Sequence, residues 1–170
     1  MSRRRFGAVV LALSLLMAGV LCLPALPSSA PAAEAGIPQP AVKDKCPVCG
    51  MFVAKYPDWA TVLHFKDGTP AFFDGPKDLF KYLLGLKRYN PTRKAGDVER
   101  IIVKDYYRVV PIDGKKAWYV LGSDVYGPMG KELIPLAKEA DAETFRQDHK
   151  GRRILKFSEI TPEVIKTVDQ

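Results

Sequence analysis

The sequence of 170 residues has little of what disulfide-rich, catalytic or nucleic-acid-binding proteins need. Three cysteines are too few for a disulfide-dense scaffold. No Ser/His/Asp set, glycine-rich phosphate loop or pair of catalytic carboxylates stands out. The basic residues are scattered, without a dense stripe that alternates with aromatics, so nucleic acid is not an expected partner. What remains is the composition of one ordinary globular domain, 47% hydrophobic and 26% charged, and we expect no enzyme.

The first 35 residues have the pattern of an export signal. Three arginines at residues 3–5 precede an apolar run over residues 6–23, and small residues follow up to a predicted cleavage point after Ala35. We therefore expect a periplasmic or exported protein. Two alternatives attach it to the membrane through the N-terminus: retention of the apolar run as an anchor, or lipidation of Cys22, although the residue before it is bulky for a lipoprotein signal.

The rest of the chain divides into a proline-containing tether, residues 36–45, and one domain, residues 46–170. Strand runs mixed with isolated helices predict an α+β fold whose two halves resemble each other, each with paired strands and then a short helix. The predicted strands cover residues 51–54, 60–65, 69–73, 98–110, 117–121 and 154–157. The predicted helices cover residues 76–84, 140–150 and a last short segment from residue 162. Residues 111–115 are predicted as a turn and residues 122–130 as a loop.

The sharpest motif is Cys46-Pro47-Val48-Cys49-Gly50-Met51. Four interpretations stay open. A zinc ribbon needs a second ligand pair, which the sequence lacks. A thiol oxidoreductase normally has its cysteine pair between a strand and a helix, whereas here a tether precedes and a strand-like segment follows. A local disulfide would stabilise the fold only modestly, and a soft-metal site would use thiolates and thioethers.

Two methionines favour the soft-metal interpretation. Met51 is the last residue of the Cys46–Met51 motif, which we call the knuckle. Met129 lies in the predicted loop, flanked by proline and glycine. Cu(I) prefers thiolate and thioether ligands, so these residues suit it.

Eight other residues receive plainer interpretations. His64 is predicted to be an ordinary strand residue and His149 a helix C-terminal residue. Asp74 and Asp78 are interpreted as helix-capping residues. Trp59, Trp118 and the Phe72-Phe73 pair are predicted to belong to the core.

An ordered set of segments resembles the NosL family, accessory copper chaperones linked to nitrous oxide reductase maturation. The resemblance extends from Cys46 to about Ile160. It rests on the knuckle and on the segments Phe72-Phe73-Asp74, Asp78-Leu79-Phe80-Lys81-Tyr82-Leu83, Lys116-Ala117-Trp118-Tyr119-Val120, Gly127-Pro128-Met129-Gly130, Ala140-Asp141-Ala142-Glu143-Thr144-Phe145 and Gly151-Arg152-Arg153-Ile154-Leu155-Lys156-Phe157.

The resemblance implies two small ββα-type halves of the TRASH-like fold, packed as one compact domain. It implies periplasmic binding of one Cu(I) by Cys49, Met51 and Met129, with Cys46 as fourth ligand or redox partner. The implied partner is a cuproenzyme or its assembly or transport machinery, and we expect a monomer or a weak dimer. The alternative function is an exported thiol–disulfide protein that uses Cys46 and Cys49.

Overall fold

The structure, a computed structural model, describes residues 37–169. The predicted signal and Cys22 lie outside these residues. The elements follow one another as β1 (Thr61–Phe65), β2 (Pro70–Phe73), α1 (Pro76–Leu84), α2 (Leu86–Tyr89), β3 (Val98–Lys104), β4 (Pro111–Asp113), β5 (Trp118–Gly127), β6 (Gly130–Leu136), α3 (Glu139–Asp148), β7 (Arg153–Lys156) and α4 (Pro162–Val168). Within the described part of the chain, no helix is long and apolar enough to cross a membrane.

The first sheet has four antiparallel strands in the order β2-β1-β3-β4. A hairpin turn at Asp67-Gly68 joins β1 to β2, and Gly68 has the positive φ of +85° that favours glycine there. Both strands bury residues of the core, among them Leu63 and Phe73. Only two residues separate β2 from α1, so the end of β2 and the first turn of α1 form one tight junction.

The second sheet has three antiparallel strands in the order β6-β5-β7. Strands β5 and β6 form a hairpin in which Gly127 pairs with Gly130, so that Pro128 and Met129 make up the turn. This hairpin corrects the prediction of a loop over residues 122–130, and β6 is a strand that the sequence analysis missed. The glycines and Pro128 of the predicted loop instead belong to a tight turn and to a bulge between Leu121 and Tyr126.

Helix α1 packs on both sheets, because it contacts β1 and β2 of the first sheet and β6 of the second. Its Phe80 meets Tyr119 of β5 edge to face, with the ring centroids 5.2 Å apart. One large core cluster therefore contains residues of both sheets. A smaller cluster under α3 is centred on Phe145, and Trp59 and Trp118 pack against it as predicted core residues.

The α+β class is confirmed, and most predicted strands and helices are present. The strand over residues 51–54 is wrong: Phe52 makes a single bridge to Lys45, and Val53–Lys55 is a short 3₁₀ helix with Val53 fully buried. The strand over residues 98–110 ends at Lys104, and the predicted turn at residues 111–115 begins with β4.

The order strand, strand, helix occurs twice, as β1-β2-α1 and as β5-β6-α3. The more detailed description, two similar TRASH-like halves, stays a prediction.

Candidate metal centre

The Cys46–Met51 knuckle is a tight turn that brings both thiols to one side. The Cys46 N–H donates to the carbonyl oxygen of Met51 at 2.8 Å, and the Gly50 N–H donates to the carbonyl oxygen of Cys46 at 2.9 Å. Gly50 has a φ of +80°, which a side chain would disfavour. Cys46 is buried, whereas Cys49 is half-buried, and both are free thiols.

Two aspartates from the β2–α1 junction face these thiols. The Cys46 thiol donates to Asp78 Oδ2 at 3.4 Å, and the Cys49 thiol donates to Asp74 Oδ1 at 3.3 Å. Both carboxylates are almost fully buried, and one ligand atom from each of the four residues lies within 4.8 Å of the other three. We call these four residues the thiol–carboxylate cluster.

The helix-capping interpretation of the two aspartates is wrong. The N-cap position of α1 belongs to Gly75, and no side chain bonds to the helix from there. Asp74 lies one residue before the cap and Asp78 in the first turn, so both side chains are free to point at the knuckle. The sequence analysis found no second pair of candidate ligands, whereas Asp74 and Asp78 lie close enough to the two cysteines to be one.

The cluster has the size of a four-coordinate site. In a tetrahedral site with sulfur about 2.3 Å and oxygen about 2.1 Å from the ion, neighbouring sulfur and oxygen donors lie about 3.6 Å apart. The two sulfur–oxygen distances here, 3.3 and 3.4 Å, are close to that value. Asp74 Oδ2 is buried without a hydrogen-bond partner among the described residues, so it has spare capacity as an acceptor.

Burial keeps both thiols protonated when no ion is bound. It raises the pKa of Cys46 well above its usual range and that of Cys49 to about 12, and the neighbouring carboxylates add to both shifts. A metal ion must therefore displace thiol protons, since only the thiolate is a ligand. The sulfurs suit a soft ion, and the carboxylates add harder donors and negative charge.

The two methionines occupy different surroundings. Met51 closes the knuckle through its carbonyl oxygen and has a half-buried side chain. Met129 lies in the β5–β6 turn, and its side chain is 44% exposed. The Lys77 ammonium donates to the Met129 carbonyl oxygen at 2.8 Å, which ties this turn to the helix that carries Asp78.

The two histidines lie outside the thiol–carboxylate cluster. His64 Nδ1 is 3.2 Å from Glu99 Oε2, and His149 Nδ1 is 3.3 Å from Asp124 Oδ1. His149 is the C-cap of α3, as predicted. The sequence identified the cysteines but did not reveal that Asp74 and Asp78 lie beside them. The available signal was two acids four residues apart around a Gly-Pro helix start.

The structure is a small α+β domain in which two cysteines and two aspartates lie close enough together to hold a metal ion. The NosL family model matches residues 39–165, so the chain belongs to the NosL family. It is 31% identical over 125 residues to the copper-binding lipoprotein NosL of Stutzerimonas stutzeri. That match covers 69% of this chain and only 62% of the relative's length.

Two solved structures are similar to the chain. One is the crystal structure of the copper chaperone NosL from Shewanella denitrificans, with a TM-score of 0.65 and 25% identity. It matches 75% of this chain and 97% of that one. The other is the solution structure of apo-NosL from Achromobacter cycloclastes, with a TM-score of 0.45, 25% identity and coverage of 62% and 87%.

Proposed function

We propose that this chain is a periplasmic Cu(I)-binding metallochaperone that delivers copper to a cuproenzyme assembly pathway such as that of nitrous oxide reductase. The observation that carries the proposal is the thiol–carboxylate cluster, four donor residues gathered within 4.8 Å in a member of the NosL family. Relatives named copper chaperone and copper-binding lipoprotein support copper as the cargo. The export pattern of residues 1–35 supports the location, with or without a membrane anchor.

Cys49, Met51 and Met129 are the proposed core ligands, and Cys46 is the fourth ligand or a redox partner. Cys49 and Met51 belong to one knuckle, and the turn of Met129 is bonded to the helix that carries Asp78. Cu(I) accepts low coordination by sulfur, so a receiving protein can add a ligand before this one releases its own. The exposed Met129 side chain suits such an exchange.

The recurring order of two strands and a helix supports the more detailed fold proposal of two related, TRASH-like ββα halves. In that arrangement the knuckle precedes the first half, and the hairpin with Met129 belongs to the second. The proposed copper site thus draws ligands from both halves of one domain.

A competition titration of the reduced full-length chain with Cu(I) and a chromophoric chelator tests the proposal. We expect one tightly bound Cu(I), loss of tight binding in Cys49→Ser and weaker binding in Met129→Ala. His64→Ala is the matched control, because His64 lies outside the cluster and should leave the affinity unchanged. Wild-type affinity in Cys49→Ser would refute the ligand assignment.

The alternative, an exported thiol–disulfide protein, rests on the two free thiols of one Cys-X-X-Cys motif. Such enzymes rely on a thiol whose pKa is lowered, whereas burial raises the pKa of Cys49 to about 12. We therefore expect no turnover in an insulin reduction assay, and turnover that Cys49→Ser abolishes would favour the alternative.

A further inference from the structure

A buried carboxylate from the second sheet contacts the start of helix α1. Glu132 of β6 is only 3% exposed, and its Oε1 accepts the Lys77 N–H at 2.5 Å and the Leu133 N–H at 2.9 Å. The first N–H groups of a helix have no partner within the helix, and Gly75 at the cap has no side chain to supply one. Glu132 thus performs the capping task from 55 residues away.

Two glycines make room for this carboxylate. A Cβ at Gly75 would lie 2.3 Å from Glu132 Oε2, and one at Gly127 would lie 3.1 Å from Glu132 Cγ. The backbone of Gly75 is extended and open to any residue, so glycine is needed there for space alone. The Glu132 side chain therefore fits between the helix start and the β5–β6 hairpin, where the two glycines leave space for it.

Lys77 bonds to the same hairpin a second time. Its side chain is 5% exposed, and its ammonium donates to the Met129 carbonyl oxygen at 2.8 Å and lies 3.7 Å from an oxygen of Asp169. One residue thus holds Glu132 through its backbone and the Met129 turn through its side chain. Lys77 is next to Asp78, so these bonds set where the turn stands relative to the cluster.

We infer that Lys77 and Glu132 are positioning residues that hold the Met129 thioether in reach of the thiol–carboxylate cluster. The inference rests on the proposed function. It adds how Met129, in the hairpin of the second sheet, is brought to the cluster at the β2–α1 junction. Neither residue is itself a ligand. The backbone of the turn is held firmly, while the Met129 side chain stays exposed for the ion and for a receiving protein.

Cu(I) competition titrations of full-length variants test the inference. We expect Lys77→Leu and Glu132→Leu to weaken Cu(I) binding by about tenfold or more, the effect typical of residues that orient a metal ligand. Glu132→Gln keeps an oxygen acceptor for the two N–H groups and should stay near wild type. Lys131→Leu, which removes an exposed cation from the same hairpin, is the matched control and should leave the affinity unchanged.

A double-mutant cycle separates positioning from general damage. If Lys77 acts through Met129, Met129→Ala weakens binding less in the Lys77→Leu background than in wild type. The deviation should exceed the about twofold range within which independent changes add. The full Met129→Ala effect in both backgrounds would overturn the inference.

A metal-free measurement completes the test. In protein labelled with ¹³C at the methionine methyls, Lys77→Leu should shift the Met129 signal, which its loss in Met129→Leu identifies, and leave the Met51 signal in place. An unmoved Met129 signal would overturn the inference even if Cu(I) binding is as proposed. Wild-type protein that binds no Cu(I) would refute the proposed function, and the methyl spectrum would still decide whether Lys77 positions Met129.

Discussion

Two buried aspartates of the molecule differ in the number of hydrogen bonds that they accept. After β3, Asp105 is fully buried and accepts three hydrogen bonds, from the Arg108 N–H at 2.9 Å, the Arg108 guanidinium at 3.1 Å and the Ala137 N–H at 2.7 Å. At the β2–α1 junction, Asp74 is as deeply buried. Its Oδ1 accepts a thiol, and its Oδ2 has no partner among the described residues.

Asp105 is thus fully paired within the fold, whereas Asp74 keeps one oxygen that could still accept a bond or a cation. A buried carboxylate without enough donors is costly, because it loses its hydration and gains little in return. Asp105 avoids this cost with a cation and two N–H groups. Asp74 does not, so the free energy that a bound cation would gain at the cluster is larger than it would be at Asp105.

Removal of Asp105 should produce the largest change in stability. Asp105→Ala leaves the Ala137 and Arg108 N–H groups without acceptors, and we expect the free energy of unfolding to fall by about 3 kcal/mol. Denaturant unfolding of the metal-free protein measures it, with the exposed Asp58→Ala as control. Cu(I) affinity should stay at the wild-type value, and a loss comparable to that of cluster variants would break the comparison.

Glu132 is an intermediate case between the two aspartates. It accepts two N–H groups, but burial still raises its pKa to about 8. The folded state then holds this proton more tightly than the unfolded state, whose pKa is about 4.3. Stability from this source is present at low pH and is lost as the pH rises through that window. The difference in unfolding free energy between Glu132→Gln and wild type should therefore grow with pH, by a few kcal/mol in total. A pH-independent difference would contradict this account.

The Asp74→Asn variant tests the comparison between the two aspartates at the thiol–carboxylate cluster. It removes the charge but keeps the shape, and its amide oxygen can still accept the Cys49 thiol. We expect unchanged or slightly higher stability of the metal-free protein and about tenfold weaker Cu(I) binding. Thermal unfolding and the competition titration give the two values. A stability loss as large as that of Asp105→Ala would show that Asp74 is structural after all.

The smallest effect is expected at the surface. Asp141 receives a second bond from the Arg108 guanidinium at 2.7 Å, but both side chains are partly open to solvent. Asp141→Asn should change the free energy of unfolding by less than about 0.5 kcal/mol. Comparison with Asp105→Ala in the same denaturant series then measures how much burial adds to a bond with the same arginine.

Local patterns predicted the fold well where one element carried its own signal. Helix α1 has its predicted bounds, and α4 begins at the predicted residue, where Thr161 accepts the Val164 N–H. The sequence analysis missed strand β6 because a tight hairpin turn flanked by glycines has the composition of a loop. The helix bounds depend on residues that are close in sequence. Strand β6 depends on its pairing with β5, which its composition does not reveal.

The candidate site divides in the same way. Cys46 and Cys49 were visible because their spacing alone brings them together. Asp74 and Asp78 looked like ordinary helix caps, since nothing near them in sequence reveals the knuckle that lies 25 to 32 residues earlier. A still longer separation hides the contact between Lys77 and Glu132, which are 55 residues apart. Contacts of this kind depend on how the sheets pack, which no local pattern contains.

The bonds at the cluster also differ in when they can form. Those between the knuckle and the β2–α1 junction span 25 and 32 residues, whereas those that bring in the hairpin span 52 and 55. In a chain synthesised from its N-terminus, all four residues of the thiol–carboxylate cluster are present 51 residues before Met129 is added. The cluster and the Met129 turn therefore become available at different times, and the bonds of Lys77 and Glu132 join them last.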